Sequence, residues 1–196
     1  MKNLKKLLIF IPITSLFLLT GCFGDTTVVN SGEDLANFKT YTAPSFTVGI
    51  PNQWETIEPK DFSSDIPNET QVIFRDNIKS DIFTPNANIA KVILGQQMST
   101  YDFARNEISK NRNSLLNYDE ISRDEEFNIA IGGQMAKTIL ILFEGKLREA
   151  DPKVRMIQVY AVNGADAYTV TAAYRADSSE LVSTAAKNIV KSFKIK

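Results

Sequence analysis

From Tyr41 onward, apolar and polar residues alternate in short runs. Phe46, Val48 and Ile50 fall on one face of a strand that Pro51 stops, because proline brings no N–H to a sheet ladder. Gln71 to Arg75 and Asn88 to Gly95 are further strand candidates. Ile89, Val92, Ile93 and Leu94 make the second dense enough to lie centrally in a sheet. Ser99-Thr100-Tyr101-Asp102 then signals a helix start, with a hydroxyl at the cap and a carboxylate three residues on. Tyr101, Ala104, Ile108 and Leu115 follow at helical spacing and predict a helix to about Asn117, with Arg105, Glu107, Lys110 and Arg112 on its solvated face.

The period then returns to two. Glu126 to Ile131 runs into Gly132-Gly133, a favoured two-residue hairpin turn, and Gln134 to Glu144 reads as the returning strand. Thr138, Leu140 and Leu142 share one face of it and Ile139, Ile141 and Phe143 the other, which predicts a strand covered on both sides. Val154 to Val162 and Ala167 to Tyr174 flank Asn163-Gly164, the strongest short hairpin signal in the chain. Asp177-Ser178-Ser179-Glu180 resembles a capping box with Asp at the cap, and Leu181, Val182, Ala185, Ile189 and Val190 form an apolar helical stripe that Phe193 closes. Strands interrupted by two helices, with hairpins between neighbours, predict an α+β domain whose mostly antiparallel sheet is flanked by helices. No internal repeat is present.

The first 22 residues follow another logic. Lys2, Lys5 and Lys6 give a basic start, a mostly apolar run follows from Leu7 to Leu19, and Leu19-Thr20-Gly21-Cys22 ends it. That run is about 13 residues, or roughly 20 Å as a helix, too short for a hydrocarbon core of about 30 Å. It suits a secretory h-region. Leu19-Thr20-Gly21-Cys22 resembles the lipobox of bacterial lipoproteins at every position. The resemblance implies cleavage between Gly21 and Cys22, a diacylglyceryl thioether on the Cys22 sulfur, and often a third acyl chain, such as palmitate, on the new amino group. Two acyl chains anchor stably, each buried CH₂ contributing about 0.8 kcal/mol.

The expected organisation is therefore a signal peptide at 1–21, a lipidated tether at 22–37 and one domain at 38–196. The tether is polar and shows no sustained period, and about 15 flexible residues have a root-mean-square reach of roughly 20 Å. No apolar run after Phe38 reaches transmembrane length, so the domain is expected to stand at a membrane, held by its anchor, on the extracytoplasmic side.

Composition narrows the chemistry. The 196 residues are 43% hydrophobic and 23% charged, which is a globular balance. With no histidine and a single cysteine, the chain cannot build a Cys/His zinc site, a Ser-His-Asp triad, a Cys-His pair or an internal disulfide. With the three leading lysines removed from the 22 basic residues, the 23 acidic residues exceed the basic ones by four, and nothing points to a nucleic-acid partner.

Three stretches together resemble the PsbP-like family. Tyr41-Thr42-Ala43-Pro44-Ser45-Phe46, continuing to Pro51-Asn52-Gln53-Trp54, is similar to its opening strand and Pro-x-x-Trp turn. Gly132-Gly133-Gln134-Met135-Ala136 resembles its central glycine hairpin. Ala167-Tyr168-Thr169-Val170-Thr171-Ala172, with the capped helix ending Ser192-Phe193-Lys194, resembles its last strand and helix. The resemblance spans residues 38–196 and implies an α-β-α sandwich around an antiparallel sheet. It also implies a habit of docking onto other proteins without catalysis. Some family members are linked to calcium and chloride retention, but no set of oxygen ligands here matches a family motif, so neither a metal site nor a cofactor is expected.

Individual residues add little chemistry. Trp54, the lone tryptophan, is expected to plug the end of the core with its indole N–H bonded nearby. Asp119-Glu120 and Asp124-Glu125-Glu126 read as a charged hairpin edge that discourages strand pairing. They lack the spaced ligands and turn glycine of a calcium loop. Asp61, Asp65 and Glu69 lie in a long polar loop from Pro59 to Thr70, the kind of place where function sits on a rigid scaffold. Lys146, Arg148, Lys153 and Arg155 are interleaved with Glu144, Glu149 and Asp151, so no basic stripe emerges. No spacing singles out a carboxylate pair for acid–base work, and no catalytic residue is assigned. The expected role is a membrane-anchored lipoprotein that docks on an envelope protein or complex. The alternative is a lipoprotein that binds a small ligand between sheet and helices.

Overall fold

The computed structural model describes residues 37–196. In chain order they form β1 (Phe38–Thr42), β2 (Phe46–Pro51), β3 (Glu55–Ile57), a single 3-10 turn (Pro59–Asp61), β4 (Thr70–Arg75), β5 (Asn86–Ile93) and α1 (Thr100–Ser114). There follow β6 (Leu116–Asp124), β7 (Asn128–Ile131), β8 (Gln134–Lys137), β9 (Leu140–Lys146), β10 (Val154–Asn163), β11 (Asp166–Arg175), α2 (Glu180–Ser192) and β12 (Lys194–Ile195). Seven strands make one sheet in the order β3-β4-β5-β11-β10-β9-β6, and five make a smaller sheet in the order β1-β2-β12-β7-β8. Every neighbouring pair in the larger sheet is antiparallel; β12 with β7 is parallel.

Strict alternation in the central strands gives the large sheet two buried faces. In β10, Ile157, Val159 and Ala161 join α2, β2 and Trp54 in one core. Met156 and Tyr160 point the other way, into a core with Phe103, Ala104 and Ile108 of α1. β9 does the same, with Ile141 and Phe143 on the α1 side and Leu140 and Leu142 against the α2 side. Each fully buried large side chain contributes about 1.5–3 kcal/mol relative to exposure.

The expected run from Gln134 to Glu144 is two strands. The chain leaves the small sheet after Lys137, crosses at Thr138 and Ile139, and enters the large sheet at Leu140. Thr138 is fully buried at the crossing, and its hydroxyl donates to the Tyr160 carbonyl at 2.8 Å, so a polar side chain there meets an otherwise unused acceptor. Gly132 and Gly133 both have positive φ (56° and 79°), as a tight hairpin between β7 and β8 requires. In the next hairpin Asn163 pairs with Asp166, so the two turn residues are Gly164 and Ala165, one place later than Asn163-Gly164.

The last helix also starts later than the capping box implies. Ser179 is its cap, accepting from the Val182 N–H, while the Asp177 carboxylate pairs with Arg175. Leu181 is exposed, and the buried stripe is Ala185, Ala186, Ile189 and Val190. Lys194 and Ile195, which carry no strand signal by themselves, form β12 between β2 and β7. They complete the small sheet because Phe193 is buried beside Phe46 and Tyr168. Among the described residues, no helix is long and apolar enough to cross a membrane.

Candidate functional site

α1 begins at Ser99, whose hydroxyl accepts the Asp102 N–H at 3.0 Å and donates to the Asp102 carboxylate at 2.6 Å. Thr100 ties this end to the sheet, its hydroxyl accepting the Val162 N–H at 3.0 Å. The inward stripe is Thr100, Phe103, Ala104, Glu107 and Ile108. Glu107 is therefore not on the solvated face, where it was expected beside Arg105 and Arg112; it is 6% exposed. The spacing itself held the signal, since Glu107 lies four residues after Phe103, three after Ala104 and four before Asn111. Lys110, one turn on, forms an ion pair with it.

Beneath Glu107 lies a buried polar chain. Asn111 Nδ2 and the Tyr160 hydroxyl both donate to Gln158 Oε1 at 2.7 Å, and Gln158 Nε2 donates to the Thr171 hydroxyl at 2.9 Å. Burial pushes the Tyr160 phenol well above its ordinary range, and the negative charge of Glu107 adds to the shift. The phenol thus stays protonated and acts as a donor. None of these residues was singled out beforehand, because Gln158, Thr171 and Tyr160 come together only when β10, β11 and α1 pack.

Alongside α1 opens a groove of about 510 Å³. Val92, Leu94, Met98 and Phe103 form its apolar wall, and Glu69, Asn106, Glu107, Ser109 and Lys110 its polar side. Glu69 ends the Pro59–Thr70 loop, the segment expected to carry function. Its backbone is locked in place, the carbonyl accepting from the Lys91 N–H at 2.8 Å and from Gln71 Nε2 at 3.0 Å. Its carboxylate Oε2 is buried and has no hydrogen-bond partner among the described residues. Glu69 as a whole is half-buried and lines the groove, so its carboxylate sets a negative charge beside the apolar wall.

Most of the other candidates are engaged within the fold. Trp54 is buried in the α2-side core, as expected, but its indole N–H has no hydrogen-bond partner among the described residues. The acidic run begins within β6, an edge strand, and three of its five acids are paired. Glu120 pairs with Arg123 and Arg112, Glu125 with Arg123, and Glu126 with Lys137. The Arg123 guanidinium holds the Glu120 carboxyl below its ordinary value. In the basic stretch, Lys153 and Arg155 share Glu144, and Arg148 pairs with Asp151. Asp61 lies exposed in the 3-10 turn and Asp65 further along the same loop. No group of three or more acidic, Cys or His side chains suited to a metal occurs among the described residues. Gly21 and Cys22, the expected cleavage and lipidation residues, lie outside the described residues.

No family model matches the chain, and no curated protein matches it. Solved structures do. The solution structure of cyanobacterial PsbP (CyanoP) from Synechocystis sp. PCC 6803 superposes with a TM-score of 0.55 at 13% identity, covering 90% of this chain and 99% of that one. A mutant of Mog1 gives 0.52 at 10% identity over 81% of this chain and 96% of its own. LpqN, described as involved in cell envelope biogenesis of Mycobacterium tuberculosis, gives 0.50 at 11% identity over 82% and 91%. At such identities the likeness speaks for the fold alone. The two mostly antiparallel sheets, the two helices and this match together make the chain an α+β protein with a PsbP-like fold.

Proposed function

We propose that the chain is a membrane-anchored, extracytoplasmic lipoprotein, lipidated at Cys22 after cleavage behind Gly21, whose domain docks non-catalytically on an envelope protein or complex. Leu19-Thr20-Gly21-Cys22, standing at the end of a correct h-region and using the lone cysteine, carries this reading. The fold shared with LpqN and cyanobacterial PsbP is in keeping with it.

The tether leads into the domain at Asn37, whose carbonyl accepts the Asn52 N–H at 2.9 Å. Three residues beyond Asn52 the chain enters β3, where Glu55 pairs with Arg75, so the β4–β5 loop lies at this same end. Ile93 lies at the opposite end of β5, opposite Asp166 and beside the β10–β11 turn, and is 79% exposed. Ile93 is thus an exposed apolar residue at the end of β5 away from Asn37. Crosslinking in intact cells, with Cys22→Ser as the unanchored control, tests the proposal. Defined partners recovered with the anchored form, and reduced by Ile93→Lys, are expected. Recovery of the same partners from Cys22→Ser cells would remove the anchored reading.

A second reading, a lipoprotein that binds a small ligand, is favoured by the α1 groove, which sets the Glu69 side chain beside an apolar wall. Binding to the native state alone raises the melting temperature by mass action, so a thermal-shift screen tests it.

A further inference from the structure

On the ligand-binding reading of the domain, we infer that the groove beside α1 takes a small primary ammonium compound carrying a short hydrocarbon tail. The charged groups lining it are Glu69, Glu107 and Lys110. Lys110 and Glu107 neutralise each other as an ion pair, which leaves the Glu69 carboxylate in excess. The Glu69 side chain is half-buried, lines the groove and has no ion-pair partner among the described residues, and a carboxylate so placed takes both a positive charge and an N–H or O–H donor. An ammonium brings both. Val92, Leu94 and Phe103 supply the wall against which a tail would lie, and the volume falls in the range typical of small-molecule sites.

Other cations fit less well. A divalent ion requires about six or more oxygen ligands, whereas the groove holds two carboxylates, one of them engaged by Lys110. A quaternary ammonium has no N–H for Glu69 and is held by aromatic cages, while Phe103 is the one aromatic residue in the lining. An anion would meet the uncompensated Glu69 charge.

The test is heteronuclear NMR of the full chain purified in a neutral detergent, titrated separately with n-butylammonium, n-butyrate and n-butanol. Butylammonium is expected to shift the amide resonances of Leu94, Phe103 and Asn106 saturably, with butyrate and butanol leaving them in place. Glu69→Gln is expected to weaken the titration by about tenfold or more, as loss of a charge-assisted hydrogen bond implies. Ser109→Lys, an exposed substitution on α1 that puts an ammonium at the rim, is expected to block it with the fold intact, and decides the matter if Glu69→Gln does not fold. If butanol or butyrate shifts the same resonances as strongly, the ammonium assignment is wrong while the small-ligand reading stands. If none of the three moves them, both fail. Butylammonium binding that survives both substitutions would place the amine elsewhere.

Discussion

α2 and α1 cover opposite faces of the large sheet with 13 and 15 residues, but by different chemistry. Beneath α2 the packing is mostly hydrocarbon and aromatic, with Trp54, Phe74, Tyr168 and Ile189 all buried, and the helix's last turn is tied to β2 where the Gly49 N–H donates to the Ser192 hydroxyl at 2.7 Å. Beneath α1, the buried apolar residues share the face with Glu107, Gln158 and Thr171. Apolar burial is non-directional and scales with area, so, the Ser192–Gly49 bond apart, the α2 face contributes stability without dictating geometry in detail. Hydrogen bonds are directional and costly to leave unmade. The Asn111–Gln158 and Thr100–Val162 bonds therefore hold α1 at one position over β10, and that position leaves the groove open beside Val92 and Leu94.

The sharpest test of this contrast is truncation on each side. Phe74→Ala, on the α2 side and fully buried, is expected to cost about 3–5 kcal/mol in denaturant unfolding. Phe103→Ala is expected at the low end, about 3 kcal/mol, because Phe103 already borders the groove and has fewer neighbours to lose. Equal losses would mean that the groove closes in solution. Next comes Gln158→Leu. It preserves bulk but strands the Tyr160 hydroxyl, Asn111 Nδ2 and the Thr171 hydroxyl, and unfolding curves should show a loss of about 2–3 kcal/mol. A neutral outcome would show the polar chain to be dispensable.

Alkaline pH should bear on the α1 face by a smaller amount. The folded state binds the Tyr160 proton more tightly than the unfolded chain, whose tyrosines titrate near the ordinary value of 10.0. The stability tied to that proton is complete below this value and is lost as pH rises towards the folded one. Tyr160→Phe should flatten the alkaline fall of the denaturation midpoint; an unchanged slope would assign the fall to other tyrosines. Smallest is the difference between caps. Ser99→Ala should cost about 1 kcal/mol, and Ser179→Ala less, because the Ser99 bond is 3.0 Å and the Ser179 bond 3.4 Å. Thermal melts of the two variants would rank them, and a reversed order would show that the longer bond is not the weaker.

Local signals carried much of the fold. Phe46, Val48 and Ile50 alternate as β2 does, Ser99 caps α1, and Gly132-Gly133 and Gly164 turn the chain where hairpins form. These depend on residues a few positions apart, which a linear reading compares directly. Leu140 to Phe143 were legible as covered on both faces because both sets of side chains are apolar. The capping box misled by two residues because Asp177 and Ser179 are both good caps, and Arg175 claims the aspartate. Glu69 was noticed for its loop alone; that its Oε2 ends beside α1 depends on β4 and β5 bringing it there.

By itself, then, the amino-acid sequence determined the class of the domain, its helices and most of its hairpins, and it placed the lipobox-like Leu19-Thr20-Gly21-Cys22 behind an h-region. Tertiary structure alone decided that the strands divide into two sheets, that the chain crosses between them at Thr138, and that Lys194 and Ile195 close the smaller one. It also decided that Glu107 is buried and Glu69 left facing a groove. The reason is physical. Turns, caps and periodicity are settled by neighbours along the chain, whereas sheet membership and the pairing of buried polar groups are settled by partners dozens of residues away, such as Asn111 with Gln158.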